Sequence, residues 1–519
     1  MITPPYGEVI LKTGTRIFDS AALIRRALKV ASGFQQMGLT VNDSVAGLLR
    51  NDVAFFDLLE GTALAGVRYT PINWHLTSSE IAYILNDSDA KVLVAHEDLL
   101  NNIDSSINSD IQVLVVKTPL EIKAAYNIDS QPAKAHYECW ESWLAKQADN
   151  PKNVSCPGSL MLYTSGSTGK PKGVKRISQP LGAQKIYLEG IGKAFGLRKH
   201  AKVVITGPLY HAAPLGYARF ATQLGCDMWL MPRFDAEGLL SLIQEQRLSH
   251  MHMVPVMFYR LLQLPRPTRD KYDLSSLRSV CHGAAPCPAD IKRSMIEWWG
   301  PIISEYYGST EASLSCAASS EEWLERPGTV GKPLPGVTLK IYGEQGEELP
   351  SGMRGEIFVR QISAPDFDYH KRPQARHDIE HNGLVTNGDI GYQDTDGYVY
   401  LAGRKKDMII SGGVNIYPAE IEAELLTHPN VDDCAVFGIP DSEFGESVIA
   451  AIQPSIEQET TAWHIRTFLT NKLARFKIPR EFLFLEQLPR FDNGKIYKER
   501  LRDDYMSSIT TTTVTTNSI

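Results

Sequence analysis

The sequence predicts an α/β protein in which a large N-terminal α/β domain precedes a small α+β domain. Three observations predict it. At 519 residues the chain exceeds what one hydrophobic core organises, so more than one domain is expected. Over most of its length, helical patterns alternate with short apolar runs that end in glycine, proline or polar turns. That is how strands of α/β sheets present ligand residues at their carboxyl ends. Near "YLAGRKKDMIISGG" the character changes. Charges crowd at Arg404, Lys405, Lys406 and Asp407, and a compact alternation of helices and strands follows.

The elements follow in chain order. In "LYTSGSTGKPKGVK", residues 162–175, the apolar residues Leu160, Met161 and Leu162 read as the end of a buried strand. Glycines then release the chain into a turn whose backbone amides can face an anion. Hydroxyls and Lys170 or Lys172 add donors and positive charge. This is not the P-loop of NTPases, which needs four residues before its Gly-Lys pair and then a Ser or Thr for magnesium. Gly166 and Gly169 are separated by only two residues, and Pro171, which lacks an amide hydrogen, stands where the hydroxyl belongs. "AKVVITGPLYHAAP", "LRSVCHGAAP" and "PIISEYYGSTE" each read as a strand delivering a small or polar cluster. Asp394 and Asp396 in "QDTDGY" fit a hairpin turn. Pro418 opens a helix in "PAEIEAELLTH", and "VDDCAVFGIP" and "ESVIAAIQP" read as strands. Ile465, Phe468, Leu469 and Leu473 fall at helical spacing. The terminal "SSITTTTVTTNSI" is low in complexity and reads as a disordered tail.

Bulk properties narrow the function classes. Apolar content of 43% and charged content of 22% are those of a globular protein. A formal charge of −7 does not favour a nucleic-acid partner, and no apolar run approaches a membrane span. The first residues lack a secretory pattern, and seven cysteines are scattered singly, which together suggest a reducing, cytoplasmic setting.

Six motifs then occur in order: "YTSGSTGKPKGV", "PLYHAAP", "EYYGSTEAS", "TNGDIGYQDTDGYVYLAGRKKD", "GGVNIYPAEIE" and "PRFDNGKIYKERL". Together they resemble the acyl-adenylate-forming superfamily of acyl-CoA synthetases, adenylation domains and beetle luciferases, and the resemblance covers nearly the whole chain. It implies a multi-sheet AMP- and acyl-binding domain over 1–403, a hinge at 404–407, a mobile C-terminal domain over 408–506 and the tail at 507–519.

The resemblance also implies an enzyme that makes acyl-CoA from a carboxylic acid, ATP and CoA, with magnesium. ATP would be bound by Thr164, Ser165, Gly166, Ser167, Thr168, Gly169, Lys170 and Lys172 on the phosphate side. Gly283, Ala284 and Ala285 would form a flat wall against adenine, because small side chains permit close approach. Tyr306, Tyr307, Gly308, Ser309 and Thr310 would complete the nucleotide site, with an aromatic face stacked on the base. Asp389 can accept both ribose hydroxyls, and Arg404 adds donors to the same sugar. Thr164 and Glu311 are the magnesium-side residues.

The implied catalytic set is Lys495, Glu311 and His211. Lys495 would offset the repulsion of one anion attacking another. His211 would gate or position, since an ionised carboxylate needs no base. Ala212, Ala213, Gly216, Met253 and Met257 would line the acyl pocket, and none carries a fixed charge. Lys406 matches the hinge, and Gly412, Gly413, Phe476 and Arg480 would meet CoA. One departure concerns thiolation: some family members place a second lysine where this chain has Ile410. The expected substrate is an apolar medium- or long-chain or bulky acid, with an aryl acid as alternative. A carrier protein is the alternative acceptor.

Overall fold

The computed structural model describes residues 9–103, 107–129, 137–154, 157–164, 171–177, 191–192, 194–411, 414–455, 460–490 and 496–516, with backbone alone beyond 508. Four sheets organise them. Near the N-terminus, five parallel strands run in the order Arg68–Pro71, Ser44–Leu48, Ala90–His96, Gln112–Val116 and Glu138–Cys139. The largest sheet has 14 strands. Its parallel part places Ile303–Ser309, Ser279–His282, His250–Met253, Lys202–Ile205 and Asp227–Leu230 side by side.

Those strands are apolar runs because both of their faces are covered. Successive residues alternate between two cores: Val203 and Ile205 enter one, Val204 the other, and Cys281 and Val280 divide the same way. Their carboxyl ends therefore emerge together, which brings the "GPLYH", "HGAAP" and "YYGSTE" clusters to one edge. Beyond Ile303–Ser309 the sheet turns antiparallel and continues through Ser313–Ala318, Thr329–Pro333 and Val399–Arg404 to Leu384–Gln393.

A separate antiparallel sheet of three strands contains Met161–Thr164, Lys172–Arg176 and Phe367–Tyr369. Here the structure corrects the reading of residues 160–162. They open a hairpin, with Met161 buried and Leu160 and Leu162 half-buried where they pack against the first core.

The 3-10 turn Lys405–Asp407 separates the large sheet from the last one, which begins at Ile409–Ser411. This sheet includes Val431–Asp441 and Gly445–Pro454, and the helices Pro418–Leu425 and Ala462–Thr470 pack on it through Ile421, Leu425, Ile465 and Leu469. The described residues end in a helix, Lys498–Thr516. Leu501 and Tyr505 anchor its first turns on the core, and the Tyr505 hydroxyl donates to Glu481. Once a first turn is fixed, each further residue adds a bond at low entropic cost.

Asp394 occupies the predicted hairpin turn and accepts from the amides of Asp396 and Tyr398. The six described cysteines are free thiols. Among the described residues no helix is long and apolar enough to cross a membrane.

Candidate active site

The site is organised around two carboxylates at the edge of the large sheet. Glu311 lies in the turn between Ile303–Ser309 and Ser313–Ala318. Its Oε1 accepts from Thr164 Oγ1 at 3.1 Å and from the Tyr369 hydroxyl at 3.1 Å, joining the three-stranded sheet to the large one. Burial, and then the Glu311 charge, push the Tyr369 phenol well up, so it remains a donor. Arg176 fixes the backbone beneath, donating to the carbonyls of Thr310, of Glu311 (3.0 Å) and of Pro365 (2.8 Å). Ser309 Oγ accepts from the Ala312 amide, and Gly308 is required because a Cβ there would come within 2.3 Å of the Ser313 carbonyl.

The second carboxylate is Asp389. It pairs in register with Arg404 across the Leu384–Gln393/Val399–Arg404 ladder. Arg404 Nε donates to Oδ1 at 3.0 Å and the Tyr307 hydroxyl donates to Oδ2 at 2.7 Å. Each carboxylate oxygen has a further lone pair. Tyr307 thus meets Asp389 from the strand whose following turn carries Glu311.

Tyr306 points the other way, as strand alternation requires. Its ring backs the wall from inside the first core and does not share the Asp389 contact of Tyr307. A Cβ on Gly283 would come within 2.7 Å of the Tyr306 ring, and Ala284 holds a left-handed φ of 67°. The Tyr306 hydroxyl is 2.8 Å from His252 Nε2. Beneath the wall, His282 and Glu305 are register partners. Lys292 reaches Glu305 Oε2 at 2.6 Å, and His282 Nε2 lies 3.5 Å from the same oxygen. Burial pulls Lys292 down and pushes Glu305 up, each opposed by its partner's charge, while burial holds His282 neutral.

Lys172 stands opposite Thr164 in the hairpin, its Nζ 5.3 Å from the centre of the Tyr369 ring. Residues Ser165, Gly166, Ser167, Thr168, Gly169 and Lys170 lie outside the described residues, as do Gly412, Gly413 and Lys495. Among the described residues no cluster of three or more His, Cys, Asp or Glu could hold a metal. A magnesium ion at Thr164 and Glu311 would accordingly take its other oxygens from phosphate and water, as that ion usually does.

On the acyl side, His211 caps the helix Ala212–Gln223 and its ring packs 4.4 Å from that of Tyr210. Ala212 and Ala213 are half-buried, and a Cβ on Gly216 would meet nothing within 4 Å, so this face borders open space. Met253 and Met257 are buried in the second core. Asn51, which sequence reasoning missed, ties down the loop before that helix: it donates to the carbonyls of Gly207 and Met231 and accepts from the Leu209 amide.

Lys406 lies in the 3-10 turn, its Nζ 3.8 Å from Glu499. Phe476 is exposed, and Arg480 pairs with Asp441 at 3.1 Å. Both of these candidate CoA residues lie in the last sheet's domain.

A model described as "AMP-binding enzyme" matches residues 9–364, and one described as "AMP-binding enzyme C-terminal domain" matches 420–495. A feruloyl-CoA synthase of Amycolatopsis is 32% identical, with 96% of each chain covered. An indoleacetate–CoA ligase of Aromatoleum aromaticum is 30% identical, covering 96% of this chain and 95% of its own. The ATP-bound structure of MatB from Rhodopseudomonas palustris superposes with a TM-score of 0.84 at 28% identity, with 96% of each chain covered.

The buried support of the wall should show in acid. Burial draws His252 from 6.5 down to about 4, so the ring is neutral when folded and gains a proton on unfolding between those values. Stability present above pH 6.5 is therefore lost as pH falls toward 4. His252→Gln is expected to lower the thermal midpoint by several degrees at about pH 7.5, through the weakened Tyr306 contact. It should then lose less than the parent on acidification to about pH 5. Thermal melts across that range check both signs.

Proposed function

This chain belongs to the AMP-binding enzyme family and is an adenylate-forming acid–thiol ligase, and on that premise we propose that it activates a bulky apolar carboxylic acid and transfers it to CoA. The observation that supports the site assignment best is the strand end 307–311. It gives Tyr307 to Asp389 and Glu311 to Thr164, so one element carries both a sugar-side and a phosphate-side grip.

In the first half-reaction a carboxylate oxygen attacks the α-phosphorus of ATP. The bond to the bridging oxygen breaks and pyrophosphate leaves with that electron pair. Adenine lies against Gly283, Ala284 and Ala285, and the ribose hydroxyls donate to Asp389. Thr164 and Lys172, with residues 165–170 between them, hold the departing phosphates. Thr164 and Glu311 would hold a magnesium ion, which would supply charge neutralisation for the phosphates. Lys495 offsets the repulsion between the two reacting anions. In the second half-reaction a thiol attacks the acyl carbon and AMP departs. Lys495 must withdraw for the thiol to enter, which a rotation about Lys406 would accomplish, bringing Gly412 and Gly413 to the entrance.

The open face at Gly216, beside Ala212 and Ala213, is small and uncharged, which favours an apolar acyl group. An amino acid would bring an ammonium with no fixed counter-charge among these residues. A second reading, an aryl acid, is favoured by the ferulate and indoleacetate named for two relatives.

Two outcomes are expected. The enzyme should form AMP and pyrophosphate, with apolar and aryl acids outperforming acetate, and outperforming amino acids by roughly a thousandfold, the cost of burying an unpaired ammonium. A pyrophosphate-release screen with and without CoA measures this, and ADP as the product would exclude adenylation.

The half-reactions should also separate. Lys495→Ala should slow adenylation about a hundredfold or more yet still transfer a prepared acyl-AMP to CoA. Gly412→Leu and Lys406→Pro should spare pyrophosphate release and block thiolation, one by filling the entrance and one by restricting backbone rotation. Single-turnover assays of each step decide; equal loss of both steps in folded Lys495→Ala would refute this division.

A further inference from the structure

We propose that Tyr83, Asp87 and Arg372 form a clamp that sets the positions of the two stems of the phosphate loop, and that Asp87 and Arg372 are positioning residues for MgATP. The proposal rests on the reading of residues 164–172 as the phosphate-holding segment.

The two stems are Tyr163 and Pro171, one on either side of residues 165–170. Both are bound by the same helix, Ser78–Asp87. The Tyr163 hydroxyl donates to Asp87 Oδ2 at 2.7 Å, and the Tyr83 hydroxyl donates to the Pro171 carbonyl at 3.2 Å. Tyr83 and Asp87 stand one helical turn apart on one face, so a single rigid element holds both ends of the loop. Arg372 closes the arrangement. Its Nη2 donates to Asp87 Oδ1 at 3.0 Å and to the Tyr83 hydroxyl, while Nη1 lies 3.4 Å from Asp87 Oδ2.

Strand alternation gives the clamp its reach. Tyr163 faces the helix, so Thr164, the next residue, faces Glu311. Arg372 likewise follows Phe367–Tyr369, whose Tyr369 also binds Glu311. The three-stranded sheet is thus gripped by Glu311 on one side and by Asp87 on the other. Helix Ser78–Asp87 is itself fixed: Thr77 and Glu80 form a capping box, and Ile81, Ile84 and Leu85 enter the third core, on which Tyr83 and Tyr163 also pack. The Asp87 side chain is 11% exposed, so its hydrogen bonds are little weakened by water.

A clamp of this kind acts on ATP and pyrophosphate, not on the acid or the thiol. Arg372→Met should weaken equilibrium binding of MgATP, and raise its KM, about tenfold; Tyr163→Phe, which deletes one hydroxyl, should do so severalfold. Both variants should keep the KM for the acid and the rate of CoA transfer from prepared acyl-AMP, because pyrophosphate has already left in that step. A residue that merely supported the fold would instead lower every step together with the thermal midpoint. Unchanged MgATP binding in folded Arg372→Met and Tyr163→Phe would overturn the clamp alone. Absence of MgATP binding in the parent would overturn the nucleotide reading and the clamp with it. If Arg372→Met does not fold, Tyr163→Phe decides by the same readout.

Discussion

One carboxylate oxygen, Glu311 Oε1, accepts from Thr164 and from Tyr369, and the candidate site depends on that junction. A two-stranded hairpin is marginally stable alone and gains order from a third strand and from packing on neighbouring elements. Docked on Glu311, the Thr164 hairpin is fixed against the strand end that also gives Tyr307 to Asp389. The Glu311 turn is stiffened in its own right, since Arg176 takes up three backbone carbonyls beside it. The phosphate-side and sugar-side residues thereby share one frame, although they come from strands far apart in the chain.

Strand parity then divides structural from ligand-facing duties. Tyr307 turns toward Asp389 while Tyr306 supports Gly283 from within the core. Glu305, one residue earlier, is tied to Lys292 of the helix Ala289–Trp299. A buried ion pair adds little net stability over a well-packed apolar substitute, but removing one member strands the other. Its effect here is to join that helix to the strand at the residue preceding the two tyrosines. The wall is thus held from behind by a hydrogen bond at His252 and an ion pair at Glu305.

Much of this was legible in the sequence because it is local. Apolar runs ending in small clusters marked the parallel strands, and Pro418 marked its helix. Asp394 and Asp396 carried a turn pattern that needs no distant partner. What escaped detection is long-range. Arg176 meets the Glu311 carbonyl across 135 residues and Tyr369 meets the Glu311 side chain across 58, so no local spacing records either pairing. Met253 and Met257 pack in the second core, and soft apolar side chains suit a core and a pocket wall equally, so local sequence does not separate the two roles. The tyrosine pair was ambiguous until the register of Ile303–Ser309 assigned each ring a face.

The most direct measurement is a crystal structure with magnesium and a non-hydrolysable ATP analogue. The account predicts adenine against Gly283, Ala284 and Ala285, ribose hydroxyls on Asp389, and the metal at about 2.1 Å from a Glu311 oxygen. A nucleotide bound elsewhere, or a metal held among the phosphates with Glu311 still bonded only to Thr164 and Tyr369, would contradict it.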